Sequence, residues 1–154
     1  GRAQSRLSTG MTRLCATALC LAALAAAPAA AQDAIEPGLW KITTKVLLNG
    51  NPTPADVKTR CITPDQAADV VKTFSPAFAV MNANCERDEP KTGGGKLSWR
   101  LVCTGQMDTD VSGEFTFSHP KHYTAIVVTK GWLAGQQVVN SSAAIEGEHS
   151  GACP

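Results

Sequence analysis

The sequence predicts an α+β domain that is mainly β: a curved antiparallel β-meander of about six or seven strands carrying one short helix. Three observations lead there. Apolar and polar residues alternate from Trp40 to Leu48, from Leu97 to Cys103 and from Met107 to Phe117, which is the period of a strand with one face buried and one wet. One segment, opening with Thr63-Pro64-Asp65-Gln66, carries both a helix start and a helical apolar period. Turn chemistry separates the strand-like runs: Asn49-Gly50-Asn51-Pro52-Thr53-Pro54, Gly93-Gly94-Gly95 and His119-Pro120-Lys121-His122.

The chain has 154 residues, 14 Lys+Arg against 13 Asp+Glu, a formal charge of +1 and 18% charged residues. That length fits one domain and is too short for a TIM barrel or a two-domain dehydrogenase. Near-neutral charge with no basic block gives no long-range field for nucleic acid.

Taken in order, residues 1–10 precede Met11 and read as an upstream extension or an expression remnant. Residues 11–31 have the secretory signal pattern: Arg13, then an apolar run from Leu14 to Ala27, then Pro28 and the small pair Ala29 and Ala31. The run is shorter than the roughly 20 residues that span a bilayer as a helix. Cleavage is expected between Ala31 and Gln32, leaving 32–154 as a single disulfide-bridged β-rich domain, periplasmic or secreted, with no membrane span. Leu19 before Cys20 does not fit a lipoprotein box.

Trp40, Ile42, Val46 and Leu48 define the first strand, and a short second strand runs from about Val57 to Ile62. Thr63 is the expected N-cap, Pro64 the first helical residue and Gln66 the partner in a capping box. Ala67, Val70, Val71 and Phe74 give that helix its apolar face, and Ser75-Pro76 ends it. Leu97, Trp99, Leu101 and Cys103 share one face of the next long strand. Gly113, Phe115 and Phe117 oppose Asp108, Asp110 and Glu114 on the one after it. Ile126-Val127-Val128 is apolar on both sides and marks a central strand. The last strand, Gln137 to Glu146, is polar and small at Asn140, Ser141 and Ser142, the composition of an edge.

Of six cysteines, Cys15 and Cys20 leave with the signal, and Cys61, Cys85, Cys103 and Cys153 remain for two disulfides in an oxidising compartment. Cys85 and Cys103 sit symmetrically about Gly94 and would face each other across a hairpin, which pairs Cys61 with Cys153. The rival pairing joins Cys61 to Cys85 and Cys103 to Cys153. No Cys-x-x-Cys or Cys-x-x-His spacing points to a zinc site.

Several stretches together, Glu36-Pro37-Gly38-Leu39-Trp40-Lys41, Cys61-Ile62-Thr63-Pro64, Leu97 through Gly105, Gly113-Glu114-Phe115-Thr116-Phe117 with Tyr123, and the terminal Cys153, resemble a bacterial exported-protein family catalogued as domain of unknown function 3617. The resemblance runs from about Glu36 to Cys153. It implies an exported, cysteine-bridged domain and supplies no activity. The ending Gly147-Glu148-His149-Ser150-Gly151-Ala152-Cys153 departs from the more basic ending associated with that family.

No catalytic residue is assigned and enzymatic activity is not expected, because the chain has no Gly-x-Ser-x-Gly elbow, phosphate loop or dinucleotide fingerprint. No cofactor is implied. The expected function is binding of a small apolar or amphipathic ligand in a curved-sheet pocket lined by Trp40, Val70, Phe74, Trp99, Phe115 and Tyr123. The alternative is an envelope interaction module that recognises another protein through an exposed strand edge near Val138 to Ile145. His119 and His122, flanking one turn, are weak candidates for metal chelation. Glu86, Asp88 and Glu89, and Asp108 with Asp110, read as solvated acidic groups with no calcium-loop spacing.

Overall fold

The computed structural model describes residues 35–76 and 84–154. The upstream segment 1–10, the signal segment 11–31 and the cut at Ala31–Gln32 lie outside the described residues. The described chain is mainly strand and forms one open antiparallel sheet of nine strands. The long strands are β1 (Gly38–Leu48), β3 (Asp56–Ile62), β6 (Lys96–Thr104), β7 (Asp108–His119), β8 (His122–Leu133) and β9 (Gln136–Gly151). Three short ladders complete them: β2 (Asn51–Pro52), β4 (Asn84–Arg87) and β5 (Lys91–Gly93). The order is β2-β1-β9-β8-β7-β6-β4, with β3 also on β1 and β5 also on β6.

The helical segment begins as its residues dictate. Gln66 N donates to Thr63 Oγ1 at 3.3 Å and Thr63 N donates to Gln66 Oε1 at 3.0 Å, a complete capping box. One helix was expected and two very short ones are found, α1 (Pro64–Ala68) and α2 (Val70–Phe74). Asp69 separates them: its backbone leaves the helical region (φ −122°, ψ 76°), and its carboxylate accepts from Lys72 N at 3.1 Å to start α2. Both helices follow the edge strand β3, and the second ends against β6, where Trp99 Nε1 donates to Phe74 O at 3.0 Å.

The last strand is not an edge. β9 lies between β1 and β8, paired with β1 from Trp40↔His149 to Leu48↔Ser141 and with β8 along nearly its whole length. Where β9 runs on past β1, the Asn49 side chain continues the pairing: Oδ1 accepts from Asn140 N at 2.8 Å and Nδ2 donates to Val138 O at 3.3 Å. The polar run 140–142 is therefore a small-residue stretch sandwiched between two neighbours. Ile126-Val127-Val128 lies on β8 between β7 and β9, a central position as expected.

The inner face of the sheet is apolar. Trp40, Leu97, Trp99, Leu101, Phe115, Phe117, Tyr123 and Ala125 are buried there, with Ile35, Ile62, Ala67 and Phe74 closing over them. Disulfides join Cys61 to Cys153, 92 residues apart, and Cys85 to Cys103, which are direct register partners on β4 and β6. The first closes the longer loop and ties the C-terminus to edge strand β3.

Candidate functional site

The six residues expected to line a pocket are brought together on the inner face. Trp40 (0% exposed) on β1 lies against Tyr123 (2%) on β8, ring centroids 5.4 Å apart. Phe74 stands 5.3 Å from Phe115 and 5.0 Å from Tyr123. Trp99 joins through its hydrogen bond to Phe74 O, and Val70 packs against the edge of the cluster. At these separations the rings pack directly on one another. They form the core. Phe117, Ile62 and Leu97 belong to the same cluster; Phe117 and Leu97 already stand in the alternation of their strands, whereas the place of Ile62 depends on β3 pairing with β1.

Two polar groups border this cluster. Trp40 Nε1 donates to Glu36 O at 3.0 Å, and the Arg60 guanidinium sits 5.8 Å over the Phe74 ring. Burial pushes the Tyr123 phenol up to about 12, with nearby Arg60 acting in the opposite direction.

Two glycines explain how such large rings fit. Trp99 is the register partner of Gly113 and Tyr123 that of Gly147. A Cβ at Gly113 would run into the Trp99 indole, and one at Gly147 into the Tyr123 ring. Each aromatic therefore lies flat on bare backbone of the neighbouring strand.

The opposite, outer face carries the concavities. Shallow depressions of about 450 Å³ (Thr43, Lys45, Thr124, Ile126, Ala144, Glu146) and about 320 Å³ (Asp88, Lys91, Ser98, Arg100, Ser112, Val128 among others) open there. Register explains their shape. One row across the strands reads Lys45, Ala144, Ile126, Glu114, Ser98, and the next Leu47, Ser142, Val128, Ser112, Arg100. Small residues in the middle leave troughs around Ile126, which is 48% exposed, while Leu47 is 50% exposed.

Charge on that face is ordered by cross-strand pairs. Arg100 donates from Nε to Asp110 Oδ1 at 3.0 Å and from Nη2 to Oδ2 at 2.7 Å, a bidentate pair that holds the Asp110 carboxyl below its ordinary range. Lys96 and Glu114 pair at 4.0 Å. Asp108 instead accepts from Gly105 N at 3.2 Å, so Asp108 and Asp110 are engaged by different partners.

The two turn histidines are register partners across the β7–β8 hairpin, but His119 Nδ1 accepts from Lys121 N at 3.0 Å. The donor atoms that converge on His122 are those of Glu146 and Glu148, all three within 4.8 Å of one another. Sequence reasoning ended the last strand at Glu146 and so left Glu148 off it, whereas β9 runs to Gly151; the signal was the spacing of the two glutamates, two residues apart and so on one face of a strand.

A family model described as protein of unknown function (DUF3617) matches residues 35–153. No curated protein and no solved structure matches the chain. The matched stretch includes both disulfides and every strand of the sheet, and the chain belongs to the DUF3617 family, whose function is unknown.

Proposed function

We propose that this is an exported, non-catalytic domain of the bacterial envelope that recognises another protein through the outer face of its sheet. The observation that carries the reading is the contrast between the two faces. The aromatic residues that would line a ligand pocket are spent on one another, with ring centroids 5.0 to 6.2 Å apart. Ile126, Leu47 and Val128 instead stand on the outer face among alanine, serine and threonine, with Lys45, Glu114, Glu146 and Arg100 around them. Apolar centres rimmed by charge are the usual composition of a protein-binding patch. An edge contact through Val138 to Ile145 is not favoured, since Ser141 to Ile145 pair with both β1 and β8 and the Asn49 side chain bonds Val138 O and Asn140 N.

Export is supported by the Ala29-x-Ala31 ending of the apolar leader and by two disulfides, which persist in oxidising compartments. Among the described residues no helix is long and apolar enough to cross a membrane.

Photo-crosslinking in an exporting bacterial host tests the interface. A crosslinker placed at Ile126 is expected to capture one discrete protein, and Val128→Glu is expected to abolish the adduct without changing the melting temperature. Equal capture from Thr59, on the far edge strand β3, or no adduct from Ile126, contradicts the proposal.

A further inference from the structure

We infer that His122, Glu146 and Glu148 form a binding site for a divalent transition ion of the zinc and copper class. Glu146 and Glu148 project from the same face of β9, and His122 at the start of β8 is the direct register partner of Glu148. His122 Nε2 stands 3.8 Å from Glu146 Oε1, and the donor atoms of all three side chains lie within 4.8 Å of one another. Zinc bonds to imidazole and carboxylate measure about 2.0 to 2.2 Å, so donors of one tetrahedral ion are roughly 3.3 to 3.6 Å apart. Closing that gap calls for rotation of the half-buried His122 ring and the two exposed glutamate side chains.

The charge of the group points the same way. A neutral imidazole with two carboxylates carries a charge of about −2, which one dication neutralises. Lys41 is the register partner of Glu148 on β1. Among the described residues, though, no lysine or arginine lies within ion-pair distance of either carboxylate. Among the described residues Glu146 has His122 and Glu148 has no ion-pair partner, which leaves their oxygens available. The backbone under the group is fixed independently of any metal: His149 N donates to Lys121 O at 2.9 Å and Glu36 N to Pro120 O at 2.7 Å, tying the β7–β8 turn to β9 and to the start of the domain. One imidazole among oxygen donors favours zinc or copper over calcium or magnesium, and three protein ligands leave a position for water.

Zinc titration of the untagged, chelator-stripped protein, followed by calorimetry and by the imidazole NMR resonances, tests the site. The expected result is one saturable equivalent that moves the His122 signals, with affinity lowered at least about 10-fold by His122→Ala and by Glu148→Gln. Copper is expected to bind more tightly than zinc, following the general order of divalent affinities. His119→Ala is expected to leave the affinity unchanged, and all three variants to keep the parent melting temperature. Absence of saturable binding up to about 1 mM zinc overturns the site. So does affinity that survives His122→Ala, or affinity lost in His119→Ala but kept in Glu148→Gln, which would assign the ion to the hairpin histidines instead.

Discussion

At Gly147 and Gly113 a single hydrogen atom separates the backbone from an aromatic ring. The Tyr123 and Trp99 rings occupy the space that a side chain would take on the partner strand. Gly147→Ala must therefore push the Tyr123 ring into a cluster that has no slack, at a cost of about 1 to 3 kcal/mol. Gly113→Ala should do the same through Trp99. Denaturant titration checks both, and an unchanged midpoint would contradict the packing described. Tyr123 also carries a pH signature. The unfolded chain releases the phenol proton near 10.0, whereas burial in the folded domain holds it to about 12. The contribution to stability is therefore complete below pH 10 and is lost as pH rises through 12. Tyr123→Phe removes that part of the alkaline loss, measurable as a smaller drop in urea midpoint across this range. At this scale the sequence was informative: alternation placed Trp40, Trp99 and Phe115 on inward faces, where they are buried. It did not separate a pocket from a solid core. That distinction depends on which residue each ring meets across the sheet, a matter of register between strands that alternation within a strand does not report.

Three hairpins turn on two residues with positive φ: Asn49-Gly50 (50°, 83°), Gly94-Gly95 (60°, 73°) and Ala134-Gly135 (49°, 78°). This is the tight turn whose twist matches the flanking strands, and it favours asparagine or glycine at its first position. Ala134 is the misfit, because its Cβ is crowded in the left-handed region. Ala134→Asn is expected to stabilise the domain by about 0.5 to 1 kcal/mol, read as a raised melting temperature; a loss of stability would mean that the turn has another geometry. The glycine run 93–95 and the Thr63 capping box were both visible in advance, since each rests on local chemistry. The break at Asp69 was not, because Ala67, Val70, Val71 and Phe74 keep a helical spacing across it. The place of β9 was misjudged for a different reason. Asn140, Ser141 and Ser142 are small and polar as edge residues often are, yet here they serve a strand squeezed between β1 and β8.

For the molecule as a whole, the pairing of β1 with β9 brings the first and last strands side by side, and the Cys61–Cys153 bond ties Cys153 to β3, on the other side of β1. Loop-closure entropy assigns about 4.6 kcal/mol to a bridge spanning 92 residues and about 3.2 kcal/mol to one spanning 18. The terminal bridge is thus the larger contributor. Strand order was not legible in the sequence, since nothing local in 38–48 or 136–151 names its distant neighbour. The disulfide partners gave a clue to it, because cysteines 61 and 153 bonded together require β3 and the C-terminus to be close. Because the inner face is filled by its own aromatic rings, we propose the outer face for recognition. Native mass spectrometry of the protein purified from an exporting bacterial host tests this most directly. The predicted spectrum shows no small organic molecule on the chain, which is lighter by two hydrogens for each of its two disulfides. A small apolar molecule retained on the chain, and lost on Phe115→Ala, would contradict a solid core and restore the inner face as a ligand pocket.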